Sequence, residues 1–308
     1  MDITNPIYSD ANKAREHLEA LHWPNGPVCP HCGNCDAERI TKLAGKSTRP
    51  GVHKCKECSK PFTVTVGTIF EDSKIPLNKW LLAFRLLNGG KKGFSAHELH
   101  RSLGITYKSA WFMAHRIREA MGNDGGPLGS PDTVVEADET YVGGKAKNRA
   151  KRAPAPKKAV VALVERDGHA RSFHVANVNA KTLRPLIVTN VDRASHLMTD
   201  ESGVYTRVGR EFNGHSTVNH SASEYVTTGG FKHSNTAENF FSIFKRGVIG
   251  TYHHMSEAHL ARYCREFDFR YNTRKLSDAE RTAEAIKGAR GKRLMYRQPS
   301  PPYSPKVS

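Results

Sequence analysis

The sequence lacks any run of about 18 consecutive apolar residues, the length that a transmembrane helix requires. Its first segment, MDITNPIYSDANKAREHLEA, lacks the hydrophobic stretch of a signal peptide. We therefore expect an intracellular protein with no membrane partner. In a reducing compartment, the six cysteines are expected to be metal ligands or buried thiols and not disulfides.

Acidic residues are scarce relative to basic ones: 30 Asp and Glu stand against 47 Lys and Arg, which gives a formal net charge of +17. An excess of this size favours a polyanionic partner. Nucleic acid is favoured over a membrane surface because the basic residues are spread along the chain and no amphipathic anchor stands out. The 38% apolar content and the 308-residue length suit a soluble protein of one large or two to three small domains.

Four of the cysteines form two pairs of the type C-x2-C, separated by 22 residues: Cys29, Cys32, Cys55 and Cys58. Each such pair makes one knuckle, and two knuckles close a tetrahedral thiolate site for Zn²⁺. The alternating FTVTV that follows is the strand expected of a zinc ribbon. We interpret Cys35 and His31 as bystanders, because neither has a mate at knuckle spacing.

Helical patterns occur on both sides of this motif. Residues 10–22 predict a short helix capped by Asp10, and residues 75–88 predict an amphipathic helix. Residues 95–121 have the outline of a helix-turn-helix, with the turn at Gly104. Its side chains available for DNA are Tyr107, Lys108, Arg116 and Arg118. The alternative is a plain pair of helices, since His100 stands where a helix-turn-helix usually has a small residue.

Beyond a linker rich in glycine and proline, at residues 122–132, the pattern changes to strands and helices. The order is strand, hairpin, helix, strand, helix, strand, helix, which fits a mixed sheet flanked by helices. A basic loop at 145–158 is expected to contact DNA phosphates through Lys147, Arg149, Lys151 and Arg152. The segment beyond about Arg290 is rich in proline, serine and basic residues and is expected to be disordered.

The segment 233–246, HSNTAENFFSIFKR, predicts a helix packed into a core by its apolar residues. Glu238 and Lys245 are seven residues apart, so they project on the same side, together with Asn235. Asp138 and Asp200 each end an apolar, strand-like run, where an α/β sheet presents its working side chains. Three acidic groups that converge in a basic protein indicate a divalent cation.

Several segments occur in one order along the chain: CPHCG, CKEC, FTVTVGTIFEDSKIPLNKW, EADETYVGG, TDESGVY, HSNTAENFFSIFKRGVIGTYHH and EFDFRYNTR. In this series the chain resembles the bacterial DDE-type insertion-sequence transposases with an N-terminal zinc ribbon, the ISXO-type group related to the Merlin elements. The resemblance covers nearly the whole chain. It implies a ribonuclease-H-like catalytic domain that uses Mg²⁺ or Mn²⁺, in a cytoplasmic protein associated with the bacterial nucleoid.

The resemblance also implies roles for the acidic residues in a two-metal mechanism. Asp138 would bridge the two ions, Asp200 would bind one, and Glu238 or Asn235 would bind the other. Glu238 fits better because of its spacing to Lys245, which would hold a DNA phosphate. Glu139 and Glu201 are expected to point to the opposite side of an extended backbone.

We therefore predict a DNA transposase that cleaves at terminal inverted repeats and transfers strands into target DNA, assembled on double-stranded DNA as a homodimer or higher oligomer. The alternatives are a DNA-binding protein with an inactive second half, or a nuclease of the same fold. The predicted domains are a helix and zinc ribbon, a helix-turn-helix-like region, the catalytic domain and a basic tail, at residues 1–72, 73–122, 132–275 and 276–308.

Overall fold

The structure is a computed structural model that describes residues 3–122, 125–143, 157–218 and 235–296. The chain forms two compact units. The first comprises residues 1–89, 96–121 and 278–308, and the second comprises residues 90–95 and 122–277. Within the described ranges, no helix is long and apolar enough to cross a membrane.

The first unit begins with helix α1, Ala11–His22, which is capped as predicted by Asp10: its carboxylate accepts the backbone N–H groups of Asn12 and Lys13. A small antiparallel sheet follows, in the order β1-β2-β3, made of β1, Ile40–Lys42, β2, His53–Cys55, and β3, Pro61–Phe62. The apolar cluster of this sheet region has four buried members: Cys29, Ile40, Cys55 and Phe62. A core this small needs a further source of stability.

Three helices continue the first unit: α2, Leu77–Asn88, α3, Ala96–Leu103, and α4, Tyr107–Ala120. Between α3 and α4, Gly104 has φ of +58°, a left-handed conformation that glycine adopts at low cost. Thr106 then caps α4 by accepting the N–H of Ser109 at 3.3 Å. The two predicted helices and the turn at Gly104 are therefore confirmed.

The second unit is built on a five-stranded sheet with helices between and after its strands. In chain order its elements are β4, Val134–Val142, β5, Lys158–Glu165, β6, Ala170–Val175, α5, Ala180–Asn190, β7, His196–Asp200, α6, Gly203–Gly209, β8, Gly214–Val218, α7, Asn235–Gly247, and α8, Glu257–Asn272. The strand order is β6-β5-β4-β7-β8. Pairing is antiparallel within β6-β5-β4 and parallel within β4-β7-β8. This is the predicted ribonuclease-H-like mixed sheet.

Each face of this sheet is covered by one pair of helices. Side chains of α5 and α6 pack with one set of strand residues, which includes Val135, Ala137 and Leu197. Side chains of α7 and α8 pack with the alternate set, which includes Val142 and Val160. Because strand side chains alternate between faces, the even-numbered residues of β4 and β7 lie on the side of α7 and α8.

The C-terminal part differs from the prediction of a basic tail over residues 276–308. Asp278–Lys287 forms helix α9, which belongs to the first unit. Beyond Arg290, where disorder was expected, Leu294 is buried and its carbonyl accepts the Nε–H of Arg116 at 3.0 Å. The expectation of disorder is therefore wrong for residues 291–296, because this segment packs against the helices of its unit.

Candidate active site

Asp138 and Asp200 lie at the same level of two neighbouring parallel strands. The register pairs Glu136 of β4 with Met198 of β7, and each aspartate follows two residues later in its strand. Both carboxylates therefore lie on the face that carries α7 and α8. Burial of both is intermediate. The sheet thus brings together the two aspartates that the sequence analysis singled out.

Helix α7 supplies the other predicted residues from the same face. Its apolar side chains Phe240, Phe241 and Phe244 are buried, which fixes the helix against the sheet. Glu238 in its first turn and Lys245 in its last are both exposed. Asn235 is the first residue of α7 and is also exposed.

The charges of the acidic residues affect one another. Burial raises the pKa of Asp138 to about 6, and the negative charges of Glu139, Asp200 and Glu238 act in the same direction. The N–H of Glu139 donates to Asp138 at 2.8 Å and opposes this rise. A carboxyl group with a raised pKa beside other carboxylates is a common feature of functional sites.

The carboxylates fit a divalent cation by chemistry, since hard oxygen ligands are those that Mg²⁺ and Mn²⁺ prefer. The oxygen atoms of the three carboxylates are farther apart than ligand atoms that surround a single ion. In the described part of the chain, the four cysteines form the only group of three or more potential ligands whose atoms all lie within 4.8 Å of one another. Asp138, Asp200 and Glu238 thus do not form a group of this closeness.

Sequence reasoning assigned no role to Glu136, which proves to be fully buried. Its two carboxylate oxygens have different partners: Arg166 Nε–H donates to Oε1 at 2.7 Å, and the backbone N–H of Ala237 donates to Oε2 at 2.9 Å. Ala237 immediately precedes Glu238. An acidic residue in the middle of the buried run TVVEAD was the available signal, because such a charge requires a partner.

Glu139 lies on the opposite face of β4 from Asp138, as expected, and it is half-buried. The hydroxyl of Tyr205, on α6, donates to Glu139 Oε2 at 2.5 Å. Burial raises the pKa of Glu139, and the charge of Asp200 adds to that rise. Sequence reasoning also missed Tyr205, since a tyrosine within a helical pattern carries no signal that distinguishes it from core.

The four cysteines of the zinc ribbon come together as predicted. Sγ of Cys29 lies 3.7 Å from Sγ of Cys58, and Sγ of Cys32 lies 3.7 Å from Sγ of Cys55. Tetrahedral Zn²⁺ with Zn–S bonds of about 2.3 Å sets its sulfur ligands about 3.8 Å apart, so the thiols fit this ion. Hydrogen bonding from the backbone of Cys58 lowers the pKa of Cys55 to about 6, whereas the pKa of its neighbour Cys32 is raised, so Cys55 ionises before Cys32 in the metal-free group.

The predicted DNA contacts divide into three groups. Lys108 is exposed at the start of α4, with its Nζ 4.7 Å from the centre of the Tyr296 ring. Arg116 is only 7% exposed, and it donates to the carbonyls of Leu294 and Glu71, so its predicted contact with DNA is wrong. Arg118 is likewise buried. Four residues lie outside the described ranges: Lys147, Arg149, Lys151 and Arg152.

Two family models match the two modules just described. The transposase zinc-ribbon domain matches residues 9–61, and the ISXO2-like transposase domain matches residues 130–272. The chain therefore carries an ISXO2-like transposase domain that follows a transposase zinc ribbon. Its second unit is thus the transposase domain of a DNA transposase, and its cysteine site is the structural zinc site of a transposase zinc ribbon.

One protein of known sequence and two solved structures are similar to this chain. A protein of the transposable element ISH50 of Halobacterium salinarum is 27% identical over 285 residues, which is 84% of this chain and 90% of the relative. The Mos1 transposase paired-end complex with left transposon end is 12% identical over 69% of this chain and 80% of that one, with a TM-score of 0.22. The Mos1 strand transfer complex is 11% identical over 64% and 77%, with a TM-score of 0.21.

Proposed function

We propose that this transposase cleaves DNA at terminal inverted repeats and transfers the freed strand into target DNA, with Asp138, Asp200 and Glu238 as the metal-binding carboxylates. The observation that carries the proposal is the position of the two aspartates on adjacent parallel strands, on the face covered by the helix of Glu238. Strands and helix are held by packed cores, so the three carboxylates approach from rigid elements.

The electrostatics support a cation-dependent reaction. Asp138 has a raised pKa because it is buried beside three other carboxylates, and a divalent cation would remove that penalty. Bound Mg²⁺ or Mn²⁺ would activate the attacking oxygen and stabilise the leaving oxygen at the phosphate. The protein's part is to hold the carboxylates ionised and in position.

Lys245 would hold a DNA phosphate beside the carboxylates. It is exposed in the last turn of α7, about two helical turns from Glu238 and on the same side of the helix. A lysine there acts as a fixed positive charge and neither donates nor removes a proton in the reaction. The net charge of +17 supports the wider proposal that double-stranded DNA is the substrate, bound by a homodimer or larger assembly.

We place sequence recognition of the transposon ends in the first unit, at the zinc ribbon and the exposed start of α4. Recognition helices contact base edges with their N-terminal residues, which matches the exposure of Tyr107 and Lys108. The rest of α4 is largely buried, so its second half is not available to DNA. The basic loop at 145–158 would add affinity that does not depend on sequence.

The experiment is cleavage and joining of duplexes that carry the element's ends, in the presence of Mg²⁺. Asp138→Asn, Asp200→Asn and Glu238→Gln should each abolish metal-dependent cleavage, because each replaces a charged ligand by an amide of the same shape. Asn235→Ala should leave partial activity. A dead Asn235→Ala beside an active Glu238→Gln would transfer the third position to Asn235. Cleavage without joined product would point to a nuclease.

A further inference from the structure

The buried carboxylate of Glu136 joins three elements of the second unit. Through Oε1 it accepts from Arg166, which follows β5, at 2.7 Å. Through Oε2 it accepts the N–H of Ala237, in the first turn of α7, at 2.9 Å. Its side chain is 1% exposed, and that of Arg166 is 17% exposed, so both bonds are largely shielded from water. Each oxygen is therefore committed to a different neighbour.

These bonds form a short path between two of the proposed metal-binding carboxylates. Glu136 precedes Asp138 by two residues in β4, and both side chains lie on the same face of the sheet. Ala237 precedes Glu238 by one residue in α7. Asp138 is thus connected to Glu238 through Ala137, Glu136, one hydrogen bond and Ala237. The apolar contacts of α7, which include the buried Ala237, hold the helix against the sheet, and this bond adds a polar link between its N-terminal end and β4.

The chemistry of the bond suits an anion. The first backbone N–H groups of a helix have no acceptor within the helix, and the helix dipole makes this end positive. A carboxylate placed there makes a charge-assisted hydrogen bond, which is shorter and stronger than a neutral one. Arg166 supplies the opposite charge that lets Glu136 stay ionised when buried. A neutral side chain at position 136 would balance neither the charge of Arg166 nor the positive end of the helix dipole.

We propose that Glu136 is a positioning residue that holds the start of α7 to β4 and thereby sets the separation of Asp138 and Glu238 for the metal. This rests on the proposed function of those two carboxylates. Glu136 itself touches neither the metal nor DNA in this proposal. Groups that orient metal ligands in this way commonly change metal affinity by about 10- to 100-fold when they are lost.

The test compares Glu136→Ala and Glu136→Gln in the full-length, zinc-loaded protein. Hydrogen exchange reports on the backbone amides at the start of α7, and the electron paramagnetic resonance signal of free Mn²⁺ reports on metal affinity without any DNA reaction. Glu136→Ala should speed exchange at residues 236–238 by about tenfold and weaken Mn²⁺ binding by about tenfold. Glutamine keeps one acceptor oxygen in place of two, so Glu136→Gln should fall between wild type and Glu136→Ala.

The matched control is Glu266, a second fully buried glutamate of the same unit. It pairs with Arg270 at 2.7 Å and accepts the hydroxyl of Tyr252 at 2.6 Å, and it lies on α8, away from the start of α7. Glu266→Ala and Glu266→Gln make the same chemical changes at a buried ion pair. They should lower the thermal stability of the unit, while Mn²⁺ affinity and exchange at residues 236–238 stay as in wild type.

The possible results separate the inference from the function on which it rests. Folded Glu136 variants with wild-type Mn²⁺ affinity would overturn the inference, as would Glu266 variants that loosen the start of α7 equally. If Glu136→Ala does not fold, Glu136→Gln carries the test alone. If Asp138→Asn binds Mn²⁺ as tightly as the wild type does, the proposed function is refuted. The exchange measurement would still decide whether Glu136 holds α7.

Discussion

Asp138 carries a charge that the metal-free fold disfavours. Its pKa is raised from 3.8 to about 6 because the carboxyl group is buried beside other carboxylates. Between these two pH values the unfolded chain is ionised while the folded chain still binds the proton. Stability from this group therefore falls as pH rises from about 4 to about 6, and the full penalty persists above pH 6.

We therefore predict that Asp138→Asn stabilises the metal-free protein at pH 7.5, by on the order of 1 to 2 kcal/mol, because asparagine carries no charge to bury. The gain should be smaller at pH 4.5, where wild-type Asp138 is protonated in the fold. Thermal unfolding of both proteins in the presence of chelator gives the measurement. An equal difference at both pH values would mean that the charge of Asp138 is not the cause.

In the presence of metal, the charge of Asp138 should have the opposite effect on stability and stabilise the fold. Binding to the folded state alone stabilises a protein in proportion to the logarithm of the free ligand concentration. Added Mg²⁺ should therefore raise the melting temperature of the wild type more than that of Asp138→Asn.

Metal-dependent cleavage should decline as pH falls through about 6, when protonation of Asp138 competes with the metal.

At the scale of elements, the zinc ribbon depends on its metal because its apolar core is too small to keep the ribbon folded. Its apolar cluster has four buried members, Cys29, Ile40, Cys55 and Phe62, and two of these are the metal-binding thiols themselves. The strands of its sheet have two or three residues each. Apolar burial from so few side chains does not offset the entropy of ordering the loops between them.

We predict that removal of zinc from the full-length protein unfolds residues 29–62 and leaves the second unit folded. Structural zinc contributes on the order of 10 kcal/mol in such modules. Hydrogen exchange in β2 should become fast after chelation, while exchange in β5 stays slow. Cys55→Ser should reproduce the loss in the presence of zinc. Cys35→Ser is the control, because Cys35 lies outside the four-thiol group. Slow exchange in a metal-free ribbon would refute the prediction.

Periodic elements could be predicted from the sequence, whereas contacts made by single polar groups could not. The apolar spacing of residues 233–246 predicted α7 and the common side of Glu238 and Lys245. No pattern showed that Glu136 would bind the N–H of Ala237, because that bond joins residues 101 positions apart. Arg116 was misassigned because a basic residue on a helix is usually exposed, whereas here two carbonyl groups bind it in the interior.

Helix α9 was missed for a different reason. Its sequence, DAERTAEAIK, has a single large apolar residue, Ile286, and the buried side chains beside it are Thr282 and Ala285. Such a helix presents a narrow apolar strip, which composition does not distinguish from a polar tail. Its position becomes clear only from the contacts that it makes with residues far away in the sequence.

At the scale of the whole chain, the first unit is completed by a segment that follows the second unit in sequence. The ring of His22 is hydrogen-bonded through Nε2 to the carbonyl of Ile286 at 2.9 Å. Arg85 pairs with Asp278 at 3.1 Å, and Arg281 donates to the carbonyl of Asn88 at 3.2 Å. The chain thus passes from the first unit into the second and then returns to the first. A DNA-binding fragment that ends near residue 125 would lack α9.

We predict that truncation after Ser277 destabilises the first unit and leaves the second unchanged. Loss of the segment after Ser277 exposes the apolar surface now covered by Ala285, Ile286 and Ala289, which are all buried. It also removes the carbonyl of Ile286, to which the ring of His22 is hydrogen-bonded. The expected cost is at least about 3 kcal/mol.

Hydrogen exchange in α2 should accelerate, while exchange in β5 stays slow. Under the proposed role of the start of α4 in recognising the transposon ends, sequence preference for those ends should weaken as well, because the start of α4 belongs to the same unit. A chain that ends at Tyr296 retains α9 and the contact of Leu294 with Arg116, so it should behave as the full-length protein does. Unchanged exchange in α2 after truncation at Ser277 would mean that the first unit folds without its C-terminal helix.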